Sequence, residues 1–98
     1  MTINVNKDGD KVVIIPEGRI DAVTATEFGK AIEQNIADAK NLVLDFEKLD
    51  YISSAGLRVL LSSQKTMAKK GSMKLIHVGD VIMDVLNITG FVDILTIE

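Results

Sequence analysis

Two serines lie where a strand-like segment meets a helix-like segment, and hydroxyl groups at such a junction can do chemistry. Ser53 and Ser54 follow residues 49–52 (LDYI), which look like a buried strand running into a turn. Gly56 comes next, directly before an apolar helical face. A hydroxyl in this position can cap the helix, attack a substrate or receive a phosphate.

Capping is the simplest of these roles, because a serine at a helix N-cap accepts a hydrogen bond from a free backbone N–H. One cap leaves the second serine unexplained. It also leaves Gly56 unexplained, since glycine weakens a first helical turn by up to ~1 kcal/mol. Ala55 and Gly56 are small, so another backbone or a ligand can approach closely. The free N–H groups and partial positive charge of a helix N-terminus also suit a phosphate.

Catalysis has little support in the sequence. The junction lacks the G-x-S-x-G spacing of a nucleophile elbow. The one histidine, His77, lies in an apolar strand-like run, which favours a core or strand-end histidine. Asp21 and Asp45 come at predicted strand ends without a paired base. No phosphate-binding loop and no His/Asp cluster with metal-ligand spacing occurs, so we expect no enzyme, no metal and no cofactor.

Length and charge restrict the fold and the partners. The chain has 98 residues, of which 47% are hydrophobic, enough for one domain with a real core. Its net charge of −3 and scattered Lys and Arg give nucleic-acid binding no electrostatic support. There is no cysteine, no basic leader before an apolar run, and no apolar stretch of about 18 residues. We therefore expect a cytoplasmic protein that binds neither nucleic acid nor membrane.

The elements that must position the serines follow from the hydrophobic pattern. Residues 3–5 and 11–18 are β-branched runs around Asp8-Gly9, a strong turn dipeptide, and predict a hairpin. Thr24 and Glu27 have the spacing of a capping box and predict the start of an amphipathic helix. The remaining expected elements are a strand at 41–46, a helix from Ser53 to Gly71, a strand at 73–78, a helix from Asp80 to Gly90 with Val81, Ile82, Val85 and Leu86 inward, and a strand at 94–97.

This order of elements, ββαβαβαβ, predicts an α/β fold. Strand–helix–strand units imply right-handed crossovers and mostly parallel pairing, so we expect a small mixed β-sheet with helices packed on it. The first hairpin strand should lie at an edge. The predicted inner residues are Val13, Ile15, Phe28, Ile32, Leu42, Leu44, Leu57, Leu60, Leu61, Leu75, Val85 and Leu86.

Three stretches resemble the STAS domain family, and within it the small stand-alone anti-sigma-factor antagonists of bacteria. They are residues 18–28 (GRIDAVTATEF), residues 41–61 (NLVLDFEKLDYISSAGLRVLL), and the order of elements through Gly90-Phe91 to the last strand. The second stretch is specific, because composition alone hardly produces two serines and a glycine–leucine pair between such a strand and helix. The resemblance covers residues 1–98 as a single STAS domain and implies the STAS-type fold.

The resemblance also implies a partner switch controlled by phosphorylation. In the family, a serine or threonine at the start of the second helix is phosphorylated by a serine kinase that is itself the anti-sigma factor. The unphosphorylated antagonist binds that kinase and frees the sigma factor, and a PP2C-type phosphatase resets the cycle. The usual acceptor directly precedes the glycine, where this chain has Ala55. The acceptor implied here is therefore Ser54, with Ser53 as the alternative.

By the same resemblance, the residues expected to bind the partner are Asp21, Ser53, Ser54, Ala55, Gly56 and Arg58. The free, unphosphorylated protein is expected to be a monomer, because the chain has few aromatics and no second apolar helix face that demands burial. The alternative function is a STAS protein without a switch, either a scaffold or the small subunit of a lipid-transport complex. Phosphate incorporation by a cognate kinase separates the two functions.

Overall fold

A long strand, β2, organises the sheet. The computed structural model describes all 98 residues, Met1–Glu98. Strand β2 (Lys11–Ile20) pairs antiparallel with β1 (Thr2–Asp8) across a tight turn at Gly9-Asp10. Gly9 has a φ of 62°, the left-handed conformation that such hairpin turns require. The predicted hairpin is confirmed, and β1 forms one edge of the sheet.

Three further strands pair in parallel. Strand β3 (Asn41–Asp45) lies between the first half of β2 and β5 (Ser72–Ile76), which gives the order β1-β2-β3-β5. Strand β4 (Leu49–Ile52) pairs with the end of β2 at residues 18–20, with a shift in register between Gly18 and Arg19. The sheet is therefore mixed, antiparallel in the hairpin and parallel elsewhere.

Three helices complete the fold. Helix α1 (Thr24–Asn35) connects β2 to β3, α2 (Ser54–Ala68) connects β4 to β5, and α3 (Asp80–Thr89) follows β5. Helices α1 and α2 pack against each other, with α1 on β2 and α2 on β5, whereas α3 packs on β4. The expected α/β fold class, a small mixed sheet with helices packed on it, is confirmed. None of the helices combines the length and apolar character needed to span a membrane.

The order of elements gains one strand relative to the expected ββαβαβαβ. Strand β4 forms separately from β3, although the sequence shows only a strand-like run before the serines. Its two buried residues, Leu49 and Ile52, are three positions apart, with exposed Asp50 and Tyr51 between them. Because strand residues normally alternate between faces, this spacing gives no regular pattern that would distinguish β4 as a strand of its own after β3.

The expected last strand, residues 94–97, is reduced to a single bridge between Leu75 and Ile97. A short 3₁₀ helix, Phe91–Asp93, precedes it. The N–H of Leu95 still bonds to the carbonyl of Phe91 at 2.9 Å, so the chain is helical until Leu95. Only the residues after that point are free to extend beside β5.

One apolar cluster of 21 buried residues forms the core. Most of the predicted inner residues belong to it, namely Phe28, Ile32, Leu42, Leu44, Leu57, Leu60, Leu75 and Leu86. Leu61 and Val85 are half-buried rather than buried. Val81, which was expected to point inward, is 63% exposed, because α3 buries Ile82 and Leu86 instead.

The prediction of inner residues was wrong at the start of β2. Val12 and Ile14 are buried, with 3% and 0% exposure, whereas Val13 and Ile15 are half-buried. Successive residues of a strand point to opposite faces, so an error of one position exchanges the two faces. The run VVII contains no polar residue that would mark the outer face.

We predict that Ile14→Ala lowers the free energy of unfolding by about 2–5 kcal/mol, because it leaves a cavity in the core. Ile15→Ala should lower it clearly less, because the side chain of Ile15 is only half-buried. Urea unfolding of the two variants measures both values. An equal or larger loss for Ile15→Ala would mean that the core lies on the other face of β2.

Candidate functional site

The two serines have different environments at the start of α2. Ser53 is the N-cap residue, and its Oγ accepts a hydrogen bond from the N–H of Gly56 at 3.3 Å. The carbonyl of Ser53 accepts the N–H of Leu57 at 3.0 Å. Ser54 is the first residue of the helix and is exposed. The hydroxyl of Ser53 is thus engaged by the helix, and Ser54 is accessible to another protein.

The start of α2 is joined to the end of β2. The N–H of Ser53 donates to the carbonyl of Ile20 at 2.8 Å, and Ile20 pairs with Ile52 in the parallel ladder. Asp21 follows Ile20 directly, after the last residue of β2. The structure therefore brings Asp21 to the same edge of the sheet as both serines.

Gly56 lies buried beneath this junction. A Cβ on Gly56 would lie 2.6 Å from Cγ1 of Ile52 and 2.7 Å from Cγ2 of Ile20, well inside van der Waals contact. The glycine therefore lets α2 approach the ends of β2 and β4. This corrects the interpretation of Gly56 as room for a partner, because the missing side chain faces the interior. Half-buried Ala55 and exposed Arg58 lie nearer the surface.

Asp21 organises the turn between β2 and α1. Its Oδ1 accepts the N–H groups of Val23 and Thr24, each at 2.9 Å. The N–H of Thr24 is the main reason that the pKa of Asp21 lies below its usual range, because it stabilises the carboxylate. A lowered folded-state pKa means that the contribution to stability is present above the unfolded pKa of about 3.9. That contribution is lost as the pH falls through the folded-state pKa.

The predicted capping box of Thr24 and Glu27 does not form. The N-cap residue of α1 is Val23, which makes no side-chain hydrogen bond. Oγ1 of Thr24 accepts the N–H of Asp21 at 2.8 Å, and an oxygen of Glu27 lies 3.5 Å from the N-terminal amino group. Asp21 takes the capping role because its carboxylate reaches the first free N–H groups of the helix.

Arg19 and Tyr51 form a contact beside the serines that sequence reasoning missed. They pair across β2 and β4, and the guanidinium carbon of Arg19 lies 4.3 Å from the centre of the Tyr51 ring. Each comes two residues before a predicted site residue, Asp21 or Ser53. This equal spacing could have predicted the contact. If two parallel strands end at the same edge of the sheet, the residues two positions before their ends are also neighbours. Both side chains are exposed.

A second polar group lies where β3 and β5 end. His77 follows β5, and its Nδ1 lies 2.9 Å from Oδ1 of Asp45 and 3.8 Å from Oε2 of Glu47. The ligand atoms of all three residues lie within 4.8 Å of one another, so the fold brings together a cluster that has no metal-ligand spacing in the sequence. Spacing could not reveal this cluster, because His77 and Asp45 are 32 residues apart in the chain. The interpretation of His77 as a strand-end histidine is confirmed.

The cluster is most simply an ion pair at the surface. The hydrogen bond to Asp45 is the main cause of a raised His77 pKa, and the charges of Asp45 and Glu47 add to it. A raised folded-state pKa means that protonated His77 stabilises the fold fully below the unfolded pKa of about 6.5. This contribution is lost as the pH rises through the folded-state pKa.

We expect Gly56→Ala to lower the free energy of unfolding by about 1–3 kcal/mol, because the new methyl group would overpack Ile20 and Ile52. Gly29→Ala in α1 is the matched control. A Cβ on Gly29 would meet Val59 at 3.5 Å, an ordinary contact, and alanine favours a helix interior by up to ~1 kcal/mol. Thermal or urea unfolding compares the two. A neutral Gly56→Ala variant would contradict the tight packing at the junction.

Asp45→Asn should move the pKa of His77 down towards about 6.5, the value of an unperturbed imidazole. Glu47→Gln should move it less, because Glu47 contributes least to the shift. An NMR titration measures this pKa without ambiguity, since His77 is the only histidine in the chain. If the pKa stays the same in Asp45→Asn, the ion pair does not form in solution.

Comparisons with known proteins agree on one family. A family profile of the STAS domain matches residues 2–98. An anti-sigma-B factor antagonist of Listeria monocytogenes is 30% identical over 94 residues, which cover 94% of this chain and 82% of the Listeria protein.

Solved structures show the same fold. The crystal structure of an anti-sigma factor antagonist from Mycobacterium paratuberculosis superposes with a TM-score of 0.89 at 25% identity, over 98% of this chain and 83% of that one. The Bacillus cell fate determinant SpoIIAA, in its phosphorylated form, superposes with a TM-score of 0.76 at 18% identity, over 99% and 91%. Together with the profile match over nearly the whole chain, these likenesses show that the protein belongs to the STAS domain family.

Proposed function

We propose that this protein is an anti-sigma factor antagonist that binds a serine-kinase anti-sigma factor and is switched off by phosphorylation of Ser54. The observation that carries the proposal is the division of roles between the two serines. Ser53 caps α2 through its Oγ, whereas Ser54 is exposed at the first position of the helix. The names of the relatives support the same class of protein, and SpoIIAA has been solved in a phosphorylated form.

The start of α2 can hold a phosphate without unfolding. The first N–H groups of the helix, on Ser54 and Ala55, have no acceptor within the helix, and the helix dipole favours negative charge there. Arg58 is exposed and lies four residues after Ser54, so the two side chains share one face of the helix. The guanidinium group of Arg58 is then within reach of a phosphate on Ser54, and such a charge-assisted contact is strong.

The same phosphate would weaken binding to a partner. Phosphorylation adds a charge of about −1.5 to −2 at a surface that already carries the carboxylate of Asp21. A partner shaped for a neutral hydroxyl would have to bury this charge without supplying a counter-charge of its own. A loss of about 2.7 kcal/mol is enough to weaken binding roughly a hundredfold, so no change in the fold of the antagonist is needed.

The other predicted site residues have distinct roles in this proposal. Asp21, Ser53, Ala55 and Arg58 surround Ser54 and form the surface that the partner contacts. Gly56 acts from beneath, because it fixes the position of the helix start. A PP2C-type phosphatase would remove the phosphate and reset the cycle. The protein itself would act without catalysis, as a single cytoplasmic domain that is monomeric when free.

We predict that Ser54→Ala abolishes phosphate incorporation, because it removes the accessible hydroxyl. The measurement is intact mass after incubation with ATP and each anti-sigma kinase of the host in turn, followed by peptide mapping. Ser53→Ala should still be phosphorylated and should lose about 1 kcal/mol of stability with the cap. Ser62→Ala is a second control, since Ser62 is also an exposed serine of α2. Ser54→Ala should keep most of its affinity for the kinase.

Two results would contradict this switch. A phosphate mapped to Ser53 would exchange the roles of the two serines. No phosphate on either serine, with an active kinase that binds the protein, would leave a STAS protein without a switch. That outcome would favour the alternative, a scaffold or a subunit of a lipid-transport complex.

A further inference from the structure

The outer face of α3 differs from the outer faces of the other two helices. Val81 and Ile88 of α3 are 63% and 86% exposed. They are seven residues apart and therefore lie on the same side of the helix, with exposed Asp84 between them. Exposed large hydrophobic side chains occur nowhere in α1 or α2.

These exposed residues are not part of the core face. Helix α3 buries Ile82 and Leu86, at 1% and 0% exposure, and packs on β4 through its inner side. Val81 and Ile88 add apolar surface on the opposite side. The premise of the expected monomer, that no second apolar helix face exists, therefore does not hold for α3.

The formal charge of the chain after Lys74 has one sign. All eleven Lys and Arg residues of the chain lie at or before Lys74. Residues 75–98 contain four acidic residues and no Lys or Arg, so this end has a formal charge of −4 when His77 is neutral. The first 74 residues, with eleven cations and ten acidic residues, have a net charge of +1. The last helix thus combines exposed aliphatic side chains with acidic neighbours.

We propose that the outer face of α3, formed by Val81, Asp84 and Ile88, is a docking surface for a basic amphipathic segment of a partner protein. In such a segment, Lys or Arg residues flank aliphatic ones. The aliphatic side chains would be buried against Val81 and Ile88, and the cations would face Asp84 and Asp80. The proposal concerns a surface separate from Ser54 and does not depend on phosphorylation.

Charge argues against the other occupants. Two copies of the α3 face would bring Asp84 of each chain close to the acidic residues of the other. Anionic lipid and nucleic acid would be repelled by the same acidic residues. Of the other exposed large hydrophobic residues, Tyr51 contacts a cation, Arg19, whose charge is offset by the neighbouring carboxylate of Asp21. This patch is therefore a poor basic counterpart for the α3 face of a second copy.

The test uses the full chain, labelled with ¹⁵N, and a synthetic helical peptide of leucine and lysine as the probe. The same peptide with glutamate in place of lysine is the control probe. The leucine–lysine peptide should shift the amide signals of α3 around Val81, Asp84 and Ile88, and the effect should weaken as salt is raised. The leucine–glutamate peptide should leave these signals unchanged.

Two variants test the apolar and the charged part of the surface. Ile88→Ser and Asp84→Lys should each lower the affinity for the leucine–lysine peptide about tenfold or more, and a tenfold change corresponds to about 1.4 kcal/mol. Neither should change the midpoint of urea unfolding noticeably, because both side chains are exposed. Glu33→Lys, at an exposed position of α1, makes the same change in net charge as Asp84→Lys and should leave the affinity nearly the same.

Several results would overturn the proposal. Non-specific electrostatic or hydrophobic binding would explain any of three results. These are signal shifts outside α3, equal binding of the glutamate peptide, and an equal loss of peptide affinity in Glu33→Lys. Light scattering provides a further check. A dimer that Ile88→Ser dissociates would mean that a second copy of the chain covers α3 instead of a basic partner.

Discussion

The contact of α2 with the ends of β2 and β4 is the constraint on which the site depends. Gly56 packs so closely on Ile20 and Ile52 that a methyl group has no space, and the N–H of Ser53 bonds to the carbonyl of Ile20. These two interactions fix where the helix begins. Ser53 then caps the helix, and Ser54, its first residue, is left exposed at the surface. The exposure of Ser54 is thus a consequence of internal packing.

A rigid junction between α2 and the ends of β2 and β4 favours a switch based on charge. Strands β2 and β4 are paired in parallel, and Asp21 is held by the N–H groups of α1. In the proposed switch, a phosphate on Ser54 would meet free N–H groups and Arg58, so the protein would accept it without rearranging. A partner that docks against the neutral surface would have no such groups for the added charge. Helix α3, on β4, presents a second surface of different chemistry, so the two proposed binding faces belong to different elements of one small domain.

The sequence predicts the features that depend on local pattern. The hairpin, whose turn lies one residue later than the predicted Asp8-Gly9, the two longer helices and the parallel pairing of the later strands follow from turn residues and hydrophobic periodicity. The features it misses depend on residues that are distant in the chain or on which side a residue faces. His77 meets Asp45 only because β3 and β5 are neighbours, and the run VVII does not show which residues face the helices. Gly56 looks like room for a ligand until the structure shows Ile20 and Ile52 beneath it.

The most direct test of a charge switch on a fixed frame compares amide chemical shifts before and after phosphorylation of Ser54. On a rigid frame, the shifts should change at residues 19–24 and 51–58, where the phosphate, Asp21 and Arg58 lie. The signals of β3, β5 and α3 should stay in place. Changes that spread through β3, β5 and α3 would contradict the fixed frame and would mean that phosphorylation acts by rearranging the fold.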